Sequence, residues 1–172
     1  MRKLFVLLGA ILAFSACTNP TPENYFDKAV LNANIVNDFG SERLTKMLIS
    51  YGVKHEGTAP DMKNPAETFI DSKVQYITKQ LKDIKDLKET DETKNMLNTS
   101  VAMFEYVLPV YKNEYMALAK LSDEGGTQDD ILSLGKEIDV KYGARFDSLY
   151  EVLTAEGKKY AAAHNINVNW GN

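Results

Sequence analysis

The sequence predicts an all-α protein, an up-down-up-down four-helix bundle behind an N-terminal leader. Apolar residues recur at steps of three and four along four long stretches. Short turns rich in Gly, Pro and Asp separate those stretches. No segment alternates with period two for long enough to make a strand.

The leader reads first. Met1-Arg2-Lys3 is a positive start, and Leu4 to Phe14 is an uncharged apolar run. Ser15-Ala16 and then Cys17, the single cysteine, follow. A charged start, an apolar run of roughly 7–15 residues and a small-residue cleavage site describe a secretory signal peptide. The run is too short for a membrane span, which takes about 20 residues. The expected divisions are therefore 1–16 as signal peptide, 17–22 as cysteine and tether, and 23–172 as the helical domain. Thr18-Asn19-Pro20-Thr21-Pro22 favours an extended, brief tether.

Phe14-Ser15-Ala16-Cys17 resembles the lipobox of bacterial lipoproteins, with Phe14 in place of the usual Leu. The resemblance implies cleavage before Cys17, a diacylglycerol thioether on its sulfur and an acylated new N-terminus. Stable anchoring takes two or more chains at about 0.8 kcal/mol per buried CH₂. The expected location is the cell envelope, lipid-anchored and most simply at the outer membrane, with the face left open. A lone thiol in an exported chain otherwise lacks an explanation.

Charge narrows the partners. The chain has 20 Lys+Arg and 24 Asp+Glu. Losing Arg2 and Lys3 with the leader leaves 18 against 24, a net −6. An acidic domain argues against nucleic acid and against a polybasic grip on anionic lipid. One cysteine allows no internal disulfide, so packing must supply the stability.

The first helix is expected from Pro22 to Tyr51, with Thr21 before it and Pro22 at the first helical position. Tyr25, Ala29, Ala33, Val36, Gly40, Met47 and Tyr51 make its stripe, Arg43 or Leu44 filling the gap. Gly40-Ser41 should bend it or divide it. A loop over 52–64 carries His55. Asn64-Pro65-Ala66-Glu67 has the form of a cap. Ile70, Val74, Ile77, Leu81 and Ile84 follow as a heptad-like seam, with Lys and Asp opposite.

Thr90-Asp91-Glu92 should open the third helix, with Leu97, Val101, Phe104, Leu108, Tyr111, Tyr115 and Leu118 as its stripe. Pro109 lacks an N–H and its ring opposes the carbonyl of Glu105, which predicts a kink. After a turn over 123–126, Thr127 should cap the fourth helix. Ile131, Gly135, Ile138, Tyr142, Phe146, Leu149, Leu153 and Tyr160 carry it to His164. A tail with Trp170 follows.

Chemistry is sparse. A di-metal bundle site needs Glu-x-x-His pairs, and neither His55 nor His164 stands three residues after a glutamate. There is no Cys-x-x-Cys-His for haem. His55 reads as a solvated loop histidine, and His164 as a residue of the last turn, where a cation suits the dipole. Asp71, Glu105, Glu114, Asp139 and Asp147 flank the stripes, where acids usually meet lysines, as Asp83 would meet Lys79 or Lys82. No catalytic residue, metal ligand or cofactor-binding residue is assigned, and no cofactor is expected. The chain reads as a non-enzyme. Tyr106, Tyr111, Tyr115, Tyr142, Tyr150 and Tyr160 crowd the third and fourth helices, more as core than as interface.

With Asn24-Tyr25-Phe26 near the start and Lys159-Tyr160-Ala161-Ala162-Ala163-His164-Asn165 near the end, the chain resembles small, lipobox-bearing, all-helical bacterial surface lipoproteins. The resemblance implies location and fold and transfers no functional residue. Two function classes follow. One is an envelope lipoprotein that binds another protein or supports an assembly. The other is a bundle holding a small apolar ligand between the third and fourth helices near Pro109.

Overall fold

The computed structural model describes residues 20–52 and 63–170. Cys17, the leader and His55 lie outside the described residues. Those described form helices joined by turns, with no strand among them. None of their helices is long and apolar enough to cross a membrane.

The first helical stretch is not one helix. Helix α1 spans Pro22–Ala29, a 3-10 segment spans Leu31–Val36, and α2 spans Glu42–Gly52. The Thr21 hydroxyl accepts from the Asn24 N–H and caps α1, with Pro22 at the start. Asn32, Asn34 and Asn37 compete with helical bonding, which favours the tighter and irregular path. Gly40 takes φ +69°, a left-handed value that divides the stretch where a bend or break was expected. The break turns Phe39 into the core, a residue the continuous-helix stripe misses. Leu44, not Arg43, fills the gap, and Leu48 is buried while Tyr51, expected in the stripe, is exposed.

Helix α3 spans Pro65–Lys85. Its expected local cap is replaced by a distant one. Asn64 sits at φ +53° and makes no side-chain capping bond. Instead Asp123 accepts the Ala66 N–H through Oδ1 at 3.1 Å and the Glu67 N–H through Oδ2 at 2.9 Å. The seam also shifts. Ala66, Ile70, Lys73, Ile77, Gln80 and Ile84 are the buried positions of α3, and Leu87 continues them. Val74 and Leu81, expected in the seam, are half-buried. The heptad rhythm is real, but it runs through two polar residues. On the opposite face Lys79 pairs with Asp83 at 2.5 Å and Lys82 with Asp86 at 2.6 Å.

Thr90 and Thr93 close a turn by mutual bonds, so helix α4 begins later than expected and spans Lys94–Val110. Pro109 leaves the Glu105 carbonyl without its usual partner. One residue after Val110 the chain widens into a π turn, Tyr111–Tyr115, before α5, Met116–Asp123. That turn takes the place of a simple kink. It leaves both Tyr111 and Tyr115 buried, their rings stacked 4.9 Å apart.

Helix α6 spans Gln128–Ala163. The Thr127 hydroxyl accepts the Asp130 N–H as expected. At the far end Asn165 takes φ +56° and the Ile166 N–H returns to the Ala161 carbonyl at 2.9 Å, a Schellman closure. The tail then packs back: Trp170 meets Phe26 edge-on at 5.8 Å, and Lys158 lies 5.5 Å from the Trp170 ring centre. Helix α6 packs mainly on α4 and α2, while α3 packs on α4 and α5. At the centre Phe39 touches Tyr111, Tyr115 and Phe146, at centroid distances of 5.7, 5.7 and 4.9 Å.

Candidate functional site

The two polar residues on the α3 seam lie seven apart, so they face the same way, toward the segment after α1. Gln80 Oε1 accepts from Asn32 Nδ2 at 2.6 Å. Lys73, only 7 % exposed, meets Asp38, 6 % exposed, in the turn before α2. Its Nζ donates to Asp38 Oδ1 at 2.7 Å, to Oδ2 at 2.9 Å and to the Ile35 carbonyl at 2.8 Å. An ammonium has three donors. The Tyr111 hydroxyl donates to the same Asp38 Oδ1 at 3.3 Å. The neighbouring Tyr115 hydroxyl accepts the Gly40 N–H at 2.7 Å.

Electrostatics follow from burial. Desolvation pushes the Lys73 ammonium below its ordinary range, against the pull of Asp38. Burial first, and the Asp38 charge second, push the Tyr111 phenol well above 10. Burial likewise raises Tyr115, against the bond from Gly40. The rings of Phe69 and Tyr111 each lie 5.6 Å from Lys73 Nζ. The cluster joins the turn before α2, α3 and the π turn. Each of its ionised groups already holds its counterpart, so proton transfer to an outside molecule would first have to break that bonding.

The other acids are dispersed. Asp71 accepts from Gln75 at 2.6 Å, and Glu105 pairs with Lys85 at 2.5 Å. Glu114 accepts the Tyr142 hydroxyl, with Lys141 at 3.8 Å. Asp147 is exposed on α6. His164 closes α6, its ring tilted against that of Tyr160 at 4.3 Å, and stands 3.4 Å from Glu92. Among the described residues no three His, Cys, Asp or Glu side chains gather as a metal site would require.

The tyrosines from Tyr106 onward follow the core reading, while Tyr51 and Tyr76 are exposed. Tyr25, Tyr111, Tyr115 and Tyr160 are buried, while Tyr106, Tyr142 and Tyr150 pack at the edge.

Asp38 and Lys73 escape a reading based on apolar periodicity, which seeks hydrophobes and steps to Val74 instead. The signal was the strict heptad itself: 66, 70, 73, 77, 80, 84 and 87 keep a 4-3-4-3 rhythm only if Lys73 and Gln80 are admitted.

Grooves indent the surface of the described residues. One, about 390 Å³, is lined by Glu42, Thr45, Leu132, Gly135, Lys136 and Asp139. Another, about 120 Å³, runs beside the tail between Leu31, Tyr150 and Trp170. Neither lining includes Pro109.

No family model matches the chain, and comparison with curated proteins and with solved structures returns no match.

Proposed function

We propose that the chain is an envelope lipoprotein, held to a membrane by lipid on Cys17, whose helical body works as a non-enzymatic binding or structural module. In this reading the body is an up-down-up-down four-helix bundle. The interrupted segment α1 to α2 forms the first arm, α3 the second, α4 through α5 the third and α6 the fourth. The lipobox-like Phe14-Ser15-Ala16-Cys17 supports the anchor. The observation that carries the role is the Asp38–Lys73–Tyr111 cluster. The one deeply buried set of ionisable groups described is committed to joining three parts of the chain. Its partner would be another envelope protein, not nucleic acid.

Three experiments test this. Fatty-acid labelling should mark the wild type and not Cys17→Ala, which should also leave the membrane fraction or remain unprocessed; equal labelling would overturn the anchor. Crosslinking in intact cells, followed by purification of the anchored protein, should recover a reproducible protein partner. Turnover of an envelope substrate that stops on changing Glu105 or His55 would overturn the non-enzymatic reading.

A further inference from the structure

The larger groove is independent of that reading and has its own chemistry. It runs where α2 crosses α6. On α6, Leu132, Gly135, Lys136 and Asp139 stand at i, i+3, i+4 and i+7, which is one face. On α2, Glu42 and Thr45 stand at i and i+3 and face them. Its volume of about 390 Å³ falls within the roughly 300–1,000 Å³ of small-molecule sites.

The floor is the informative part. Thr45 is only 2 % exposed, and its hydroxyl has no hydrogen-bond partner among the described residues. No fully enclosed side-chain polar atom lacks a partner among those residues, so the Thr45 hydroxyl keeps some access to the groove it lines. The missing side chain at position 135 makes that room: a Cβ there would collide with Thr45 Oγ1. A hydroxyl with no partner in the protein and access to the groove is free to bond a molecule bound there.

The rim sets the ligand's polarity. Glu42 and Asp139 contribute two carboxylates and Lys136 one ammonium. Glu42 already bonds Lys46 at 2.9 Å. Asp139 and Lys136 form no ion pair among the described residues. Asp139 also lies beside the start of α2, its Oδ1 3.2 Å from where a Cβ on Gly40 would stand. Leu132 adds an apolar wall. A purely apolar ligand would strand these charges, and a simple anion would meet two carboxylates.

We propose that this groove binds a small amino-carboxylate, an amino acid with a cationic side chain. Its ammonium groups lie toward Asp139 and Glu42, its carboxylate toward Lys136 and the Thr45 hydroxyl, and its methylenes along Leu132. Such a ligand presents donors to the acids and an acceptor to Lys136 and Thr45.

The test is a titration of the intact chain with L-lysine, read by amide chemical shifts. Cadaverine, which lacks the carboxylate, and glutarate, which lacks the amines, serve as comparators. L-Lysine should give saturable shifts at Thr45, Gly135 and Asp139. Cadaverine should bind about tenfold or more weakly, the effect of losing about 1.4 kcal/mol, and glutarate should not saturate. Asp139→Asn and Thr45→Val should each weaken L-lysine about tenfold, while Thr45→Ser, which keeps the hydroxyl, should bind as wild type. Should Thr45→Val fail to fold, the exposed Asp139→Asn and Lys136→Ala decide the matter. Absent or non-saturating L-lysine shifts, equal binding of cadaverine, or unchanged binding by Asp139→Asn would overturn the proposal.

Discussion

Lys73 Nζ bridges both carboxylate oxygens of Asp38, at 2.7 and 2.9 Å, across 35 residues of sequence and inside the core. A buried pair of this kind is costly to break and cheap to replace whole, because one partner left alone is an uncompensated charge. Lys73→Met and Asp38→Asn should each cost about 3–5 kcal/mol. Asp38→Leu combined with Lys73→Met and Tyr111→Phe should recover most of that loss. Urea denaturation of this set checks it; single losses that simply add would show that the groups do not act as a unit.

Asp123, at the end of α5, holds the first turn of α3 through the N–H groups of Ala66 and Glu67. Asp123→Ala should cost about 0.5–2 kcal/mol, the range for a lost N-cap. Hydrogen exchange at Ala66 and Glu67 should accelerate selectively. Asn64→Gly should be neutral or slightly stabilising, since Asn64 already holds a left-handed backbone and caps nothing with its side chain.

The shifted seam separates two residues that periodicity treats alike. Ile77 is fully buried and Leu81 half-buried. Ile77→Ala should cost about 2–5 kcal/mol. Leu81→Ala, on the shoulder of the seam, should cost clearly less. Equal losses in thermal and urea unfolding would restore the original seam.

Alkaline pH should unfold the protein through its buried phenols. The folded state raises the Tyr111 and Tyr115 values above the ordinary value near 10. Each phenol therefore adds stability that is whole below about pH 10 and is lost as pH climbs toward the folded value. Lys73 is shifted the other way, so its effect on the slope lies below the ordinary lysine value of about 10.4. Above that point the tyrosines set the trend. Stability against pH should fall above about 10, and Tyr111→Phe with Tyr115→Phe should flatten the fall.

How much of this was legible depends on the range of the interactions involved. The helical class, the Thr127 cap, the turn after Asp123 and the end of α6 at His164 follow from spacing and capping chemistry that act within a turn or two. Gly40 and Pro109 also mark the interruptions by their own backbone chemistry. What the chain does there, a left-handed turn in one case and a π turn in the other, depends on Phe39, Tyr111 and Tyr115 finding room in one core.

By itself the sequence determined which stretches coil and which residues punctuate them, because helix bonding and capping are local. Tertiary structure alone decided that Asp123 caps α3 and that Lys73 and Gln80 belong inside. It also decided that Thr45 lies against Gly135 beneath a charged rim. In each case the partner is a residue far away in sequence. A polar group is stable in the interior only when that distant partner arrives, and periodicity cannot see it coming.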